Sequence, residues 1–312
     1  MSEWTSGDAF VGGWPQAIRA TMRQTGSLPR DGGWPQAIRA TMQQTESLPR
    51  VAATRIHYCR TGGSKPPLVL LHGITDNGRC WSRVAEALAP DYDVVMPDAR
   101  GHGLSAAPES GYTAEDHAPD VAGVISELGL QHAVVIGHSM GGATAAATAA
   151  HFPALVRALV LEDPPWGGPP EALSDEQKAA RVSDWRAGIM KRKTQSLADI
   201  VAYGRRRYPA WHERDLAAWA EAKQQTSPNI AAGINGQGIA WQDVVRQIRC
   251  PSWVITADPA LGAIVTAERI QEAMRLCPAL KEAHVAGAGH NIHRDQFESF
   301  ISAVKGCLRE LG

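Results

Sequence analysis

Residues 133–142, AVVIGHSMGG, decide the fold of this 312-residue chain. The apolar run before the serine predicts a buried strand, and the alanine-rich residues that follow predict a helix. Gly137 and Gly141 stand two residues before and after Ser139, so no side chain there obstructs a sharp turn that lifts the hydroxyl above a sheet. A strand before G-x-S-x-G and a helix after it together predict that Ser139 is a nucleophile.

Short apolar runs of the same kind recur along the chain. They are residues 68–71, 93–96, 158–161 and 253–256. Helical segments separate them, and strands that are apolar throughout alternate with helices where a parallel sheet is covered on both faces. The expected fold class is therefore α/β, with a mainly parallel sheet.

The alternation stops between about residues 166 and 241. This stretch is polar and helical, and it contains five tryptophans: Trp166, Trp185, Trp211, Trp219 and Trp241. We expect an inserted helical cap over residues 165–244, between two core segments at 51–164 and 245–312. The basic runs at 191–193 and 205–207 are typical of solvated helix faces.

The first 50 residues contain a tandem duplication with a period of 20 residues. Residues 12–31 read GGWPQAIRATMRQTGSLPRD, and residues 32–51 read GGWPQAIRATMQQTESLPRV. Two copies are too few for a solenoid, and the proline after each tryptophan predicts one short amphipathic helix per copy. We interpret residues 1–50 as a dispensable extension, with a dimerisation arm or an active-site cover as the alternatives.

The composition argues against several classes of protein. A net charge of −1 provides no field to gather nucleic acid or coat an anionic membrane, and the most apolar stretch, 133–150, is too polar to span a bilayer. Residues 1–14 lack the basic segment and apolar run of a signal peptide, so we expect a cytoplasmic protein. Its expected partner is a small-molecule substrate, and we expect a monomer or a homodimer. Five scattered cysteines without a C-x-x-C pair argue against a disulfide framework and a zinc site.

A histidine near the C-terminus is the expected general base for Ser139. His290 follows a short apolar run and a Gly-Ala-Gly turn, which can carry an imidazole over the edge of the sheet. His293 is the competitor, but it would begin the next helix and point elsewhere. A metal site at these two histidines lacks a carboxylate or cysteine at ligand spacing.

Two aspartates are candidates for the acid that orients His290. Asp258 follows the apolar run 253–256, and Asp163 follows the run 158–161. Either could hold the imidazole in the right tautomer and stabilise its positive charge. We prefer Asp258, keep Asp163 as the alternative acid, and place Glu162 third.

Backbone amides are expected to form the oxyanion hole. One is that of Met140, immediately after the nucleophile, and the other is that of Ile74, in the loop after His72 and Gly73. His72 is expected to pack and form hydrogen bonds beneath this loop.

Four motifs carry a resemblance to a known family. They are LVLLHG at 68–73, PDARGHGLS at 97–105, VIGHSMGG at 135–142 and GAGHNIH at 287–293. With these four motifs in this order, the chain resembles the α/β-hydrolase superfamily. The resemblance implies a mainly parallel, eight-stranded sheet, a helical cap after the sixth strand, and no metal or organic cofactor. The loop at 255–266 is similar to that of esterases and lactonases, and the chain also resembles hydrolases of phthalate monoalkyl esters.

The expected function is that of a serine hydrolase, which cleaves a carboxylic ester through an acyl-enzyme. We expect a hydrophobic substrate that can carry a carboxylate, such as a phthalate monoalkyl ester, with a cap arginine or lysine to bind the charge. The expected pocket residues are His138, Trp166, Trp185 and Trp211. A lactonase and a carbon-carbon bond hydrolase with the same triad are alternatives, as is a non-catalytic ligand receptor of the same fold.

Overall fold

A computed structural model describes residues 4–11, 54–130, 132–167, 173–235 and 238–311. Its eight strands are β1 (Thr5–Val11), β2 (Thr54–Arg60), β3 (Pro67–Leu71), β4 (Asp93–Pro97), β5 (Ala133–His138), β6 (Val156–Glu162), β7 (Ser252–Thr256) and β8 (Leu280–His284). They form one sheet in the order β1-β2-β4-β3-β5-β6-β7-β8. Strand β2 is antiparallel to both neighbours, and all other neighbouring pairs are parallel. The predicted eight-stranded, mainly parallel sheet is confirmed.

The described residues also form ten α-helices, and those outside the cap cover both faces of the sheet. The helices are α1 (Ser82–Leu88), α2 (Ala114–Glu127), α3 (Met140–His151), α4 (Asp175–Lys193), α5 (Leu197–Arg207), α6 (Glu213–Gln225), α7 (Trp241–Gln247), α8 (Ala267–Leu276), α9 (Ile292–Asp295) and α10 (Phe297–Arg309). All six residues of β5 are buried. Alternate residues of β5 enter separate apolar clusters, Val135 on one face and Ile136 on the other. Burial on both faces explains why the strands read as continuous apolar runs.

The N-terminal residues contribute a strand that the sequence analysis did not predict. Residues 1–50 were expected to be an extension, yet β1 pairs with β2 over its whole length. Ala9 and Val11 are buried, and Val11 packs so closely on Gly123 of α2 that a Cβ at position 123 would lie 2.4 Å from Val11 Cγ1. Strand β1 therefore belongs to the core sheet. The duplicated copies and their predicted helices fall on residues 12–51, outside the described residues.

The helical cap lies between β6 and β7, as expected. Helices α5 and α6 and the segment between them share an apolar cluster of their own, which includes Trp211 and Trp219. Helix α7 packs on the core instead, because Trp241 stacks on Trp166 with ring centroids 5.1 Å apart and Val245 is fully buried. The expected cap boundary at residue 244 therefore falls inside a core helix. None of the described helices has both the length and the apolar character needed to cross a bilayer.

Candidate active site

Ser139 lies in a strained turn between β5 and α3. Its φ of 51° and ψ of −119° are rarely adopted by residues other than glycine, and its amide donates to Glu162 O at 3.0 Å. A Cβ at position 137 would lie 2.2 Å from Gly141 O, and one at position 141 would lie 2.1 Å from Leu71 O. The two glycines are therefore required for the close packing of this turn.

His290 takes Asp163 as its hydrogen-bond partner. The distance from His290 Nδ1 to Asp163 Oδ2 is 2.6 Å. The Asp163 carboxylate is fully buried and also accepts from the amides of Ile264, at 2.8 and 3.0 Å, and Val265, at 2.9 Å. Its own backbone is strained, with φ at 38°. A carboxylate fixed by two amides can hold the His290 imidazole in one orientation and one tautomer.

Asp258, the preferred acid of the sequence analysis, lies elsewhere. Its Oδ1 faces His284 Nε2 at 3.1 Å, and its Oδ2 accepts from Gly287 N at 2.7 Å. It therefore braces the loop that leads to His290 instead of contacting the imidazole. The preference for Asp258 is corrected to the alternative, Asp163, because β6 lies between β5 and β7 and its end is the nearer one to Ser139.

His138 supports the His290 loop from below. Its Nε2 donates to His290 O at 2.9 Å, and the two imidazole rings lie 4.7 Å apart. Burial lowers the pKa of His138 to about 3, so the ring is neutral near pH 7. Its other nitrogen packs against Gly73, where a Cβ would lie 2.7 Å away. His138 therefore connects the oxyanion loop and the His290 loop.

His293 forms a separate buried pair with Glu162. Its Nδ1 lies 2.8 and 2.9 Å from the two Glu162 oxygens, and its backbone amide donates to Oε1 at 2.9 Å. Burial raises the pKa of Glu162 to about 7 and lowers that of His293 to about 3. Glu162 is thus occupied by His293, which leaves His290 as the histidine beside Asp163.

The two amides expected in the oxyanion hole lie near the nucleophile. Met140 is the first residue of α3, and Ile74 lines the same cavity as Ser139. Neither amide has a hydrogen-bond acceptor within the described part of the chain. Both N–H groups are therefore available to a bound oxygen, and the start of a helix favours negative charge there. His72 lies beneath the loop, with Nδ1 2.8 Å from Gly73 O and Nε2 accepting from Ala99 N at 2.9 Å.

A cavity of about 430 Å³ opens above Ser139, between the core and the cap. Of the expected pocket residues, His138, Trp185 and Trp211 line it. Trp166 does not, because it follows β6 closely, is 1% exposed and stacks on Trp241 in the core. Tyr208 and Trp219, which were not among the expected pocket residues, also line the cavity.

Buried charges in the cavity wall were also missed. Lys223 of α6 donates to Thr75 O at 2.9 Å, Thr75 Oγ1 at 2.7 Å and Asp76 Oδ1 at 3.0 Å. Arg294 donates to Asp76 Oδ2 at 2.7 Å. Although burial acts to raise it, Arg294 and Lys223 hold the pKa of Asp76 well below its usual range. Of these charges, only Asp76 could have been expected near the site from the sequence, because it directly follows the oxyanion loop. No motif in the sequence around Lys223 indicates its role.

One residue of the basic run 191–193 faces the site. Arg192 lines the cavity, whereas Lys193 donates from Nζ to Gln224 O at 2.6 Å and Thr226 O at 3.1 Å, and Lys191 is exposed. The expectation of a solvated helix face therefore holds for the exposed Lys191 and Lys193 and for the exposed residues 205–207, but not for Arg192. The described residues contain no group of three or more His, Cys, Asp or Glu placed to hold a metal ion.

Comparisons with known proteins agree with this architecture. The model of the α/β hydrolase fold family matches residues 66–296. The chain is 28% identical to 2-(acetamidomethylene)succinate hydrolase of Mesorhizobium japonicum over 260 residues, which are 80% of this chain and 90% of that protein. It is 29% identical to N-formylmaleamate deformylase of Pseudomonas putida over 257 residues, 81% of this chain and 92% of that protein. A crystal structure of E-2-(acetamidomethylene)succinate hydrolase superposes with a TM-score of 0.68 at 26% identity, covering 82% of this chain and 96% of the other.

Proposed function

Because the chain belongs to the α/β hydrolase fold family, whose model matches residues 66–296, we propose that it is a serine hydrolase that cleaves a carboxylic ester. One observation carries the proposal. Ser139 and His290 line the same cavity, and His290 is bound to the buried Asp163 at 2.6 Å. A hydroxyl in a strained turn, an imidazole and a fixed carboxylate are the groups that acyl transfer through a covalent intermediate requires.

The proposed reaction has two steps. His290 takes the proton of Ser139 as its oxygen attacks the ester carbonyl, and the amides of Ile74 and Met140 stabilise the oxyanion. His290 then gives the proton to the departing alkoxide, which leaves an acyl-enzyme. Water then attacks the acyl carbonyl while His290 removes its proton, and His290 returns that proton to the Ser139 oxygen as the acyl–Ser139 bond breaks and the acid is released. Asp163 stabilises the imidazolium in both steps.

The cavity lining supports a hydrophobic substrate. Four aromatic side chains, Trp185, Tyr208, Trp211 and Trp219, share the wall of the cavity with Ser139. Aromatic rings provide large apolar area at little conformational cost, which suits an alkyl or aryl group on either side of the ester. A phthalate monoalkyl ester, with its aromatic ring and free carboxylate, is an example of such a substrate.

Hydrolysis of an N-acyl bond is a second candidate. The two relatives described above are named for a 2-(acetamidomethylene)succinate and an N-formylmaleamate, which carry acetamido and formyl groups on carboxylate-bearing frameworks. The same triad attacks an amide carbonyl, with His290 protonating a departing nitrogen instead of an alkoxide.

Active-site labelling and a substrate panel test the proposal. A fluorophosphonate probe is expected to label the wild-type protein and to leave Ser139→Ala unlabelled, with Ser105→Ala as the matched control that keeps the label. The panel contains 4-nitrophenyl esters of graded length, phthalate monoesters, lactones, and N-formyl and N-acetyl amides. Turnover confined to the amides would replace the ester by the second candidate. Equal labelling of the wild-type and Ser139→Ala proteins would overturn both.

A further inference from the structure

The cavity that holds Ser139 is lined by more cations than carboxylates. Arg192, Lys223 and Arg294 line it, against Asp76 and Asp184. Asp184 is exposed on α4, where water screens it, whereas Lys223, Arg294 and Asp76 are all buried. Among the buried side chains of the lining, cations therefore outnumber carboxylates.

The buried part of this wall has two cations for one carboxylate. Asp76 shares its two oxygens between Lys223 and Arg294. Two other acids lie near Arg294 without forming a hydrogen bond to it: Asp215 pairs with Arg83 at 2.6 Å, and Asp295 accepts from the Trp211 indole at 2.7 Å.

Arg294 also keeps unused capacity for an anion. It is 3% exposed, and its Nε has no hydrogen-bond partner in the described structure. An unpaired buried donor is costly, and an additional acceptor beside this guanidinium lowers that cost.

Arg192 supplies the accessible cation of the wall. It lies in the last turn of α4, and no carboxylate pairs with it within the described ranges. The neighbouring Lys193 ties this end of α4 to the end of α6 through Gln224 O and Thr226 O, next to Lys223. Arg192 thus shares the cavity wall with the buried cations, and its guanidinium is available to a ligand.

We propose that Arg192, backed by the buried Lys223 and Arg294, binds a carboxylate of the substrate. This assignment rests on the proposed acyl hydrolysis and adds its specificity: the substrate is a hydrophobic acyl compound with a free carboxylate. The aromatic wall takes the hydrophobic part, and the guanidinium takes the charge in a two-pronged contact. Lys223 also holds Thr75, next to Ile74 of the oxyanion loop, so the carboxylate site and the oxyanion hole share one support.

A matched pair of chromogenic esters tests the assignment. Mono(4-nitrophenyl) glutarate and 4-nitrophenyl pentanoate have acyl chains of equal length and differ in the terminal carboxylate. Arg192→Gln is expected to lower kcat/KM for the glutarate ester by roughly 10- to 100-fold, the range for a lost hydrogen bond to a charged group. Its effect on the pentanoate ester is expected to stay within about 2-fold. The succinate and adipate monoesters cover other distances between carbonyl and carboxylate.

Two further variants and a salt series control for indirect effects. Lys191→Gln removes the adjacent exposed charge of the same helix and is expected to change neither ester, whereas Arg192→Lys is expected to recover part of the loss. Raising the salt concentration is expected to lower the preference for the charged ester in the wild-type protein. The assignment would be overturned if Arg192→Gln lowered kcat/KM equally for both esters, or if Lys191→Gln lowered kcat/KM for the glutarate ester as much as Arg192→Gln does.

Binding measured without turnover separates this assignment from the proposed function. Glutarate and phthalate are titrated calorimetrically into Ser139→Ala and into Ser139→Ala/Arg192→Gln. Binding that depends on Arg192, together with a wild-type protein that hydrolyses none of the esters, would keep the carboxylate site and reject ester hydrolysis. Ester turnover with no preference for the charged ester and no Arg192-dependent binding would keep the hydrolase and reject the site.

Discussion

Replacing Asp163 by asparagine is expected to remove most of the catalytic activity while the protein stays folded. Oδ1 of Asp163 accepts from the amides of both Ile264 and Val265, whereas Oδ2 accepts only from that of Ile264, so the oxygen of an asparagine is held on the Oδ1 side. Its NH2 group then replaces Oδ2 and faces His290 Nδ1, 2.6 Å away in the present structure. His290 must accept that hydrogen bond, which moves its own proton to Nε2. An imidazole protonated at Nε2 cannot take the proton of Ser139.

The expected loss is about 10⁴-fold in kcat, as for the same substitution in the serine-protease triad. That factor corresponds to about 5.5 kcal/mol of transition-state stabilisation. The assay measures kcat for a 4-nitrophenyl ester, with thermal unfolding to show that Asp163→Asn is folded. Because substrate binding does not use Asp163, KM is expected to change little.

Asp258→Asn is the matched control. Asp258 is 34% exposed and pairs with His284 and the Gly287 amide, so its loss is expected to cost at most about 1 kcal/mol of stability and less than about 3-fold in kcat. The reverse ranking, with Asp258→Asn inactive and Asp163→Asn close to wild type, would refute the assignment of Asp163.

Three further predictions concern the surroundings of the site. Gly141→Ala places a Cβ 2.1 Å from Leu71 O, so it is expected to lower the free energy of unfolding by about 3 kcal/mol or to prevent folding. Unfolding in urea measures this change, and a free energy equal to that of the wild type would contradict the packing argument. Burial raises the pKa of Glu162 from 4.5 to about 7, so the stability that its protonated carboxyl contributes is complete below pH 4.5 and is lost as the pH rises through 7. Between pH 4.5 and 9 the free energy of unfolding of the wild type is expected to fall by about 3 kcal/mol relative to that of Glu162→Gln. Urea titrations that show a constant difference between the two proteins would refute this. Lys223→Met removes three hydrogen bonds to the loop of Thr75 and, unlike Arg192→Gln, is expected to lower kcat about 10-fold or more for charged and uncharged esters alike. Steady-state kinetics that show an unchanged kcat on the uncharged ester would exclude a role for Lys223 in supporting the oxyanion loop.

Features that depend on contiguous residues could be predicted from the sequence. The turn around Ser139 depends on two glycines and the strand and helix next to them, all within residues 133–151. The apolar runs showed the strands of the parallel sheet, and the polar stretch after β6 showed the cap. These features are local because backbone conformation and burial pattern are set by neighbours in the chain.

Features that depend on which strand ends lie side by side appeared only in the tertiary structure. Asp163 and Asp258 follow similar apolar runs, and the lateral order β5-β6-β7 decided between them. Strand β1 lacks the apolar pattern of a core strand, and its pairing with β2 is what places it in the sheet. Lys223 and Arg294 are 71 positions apart and meet at Asp76 because the cap folds back over the core. Long-range contacts of this kind depend on how whole elements pack, and their partners lie too far apart in the sequence to form a local pattern.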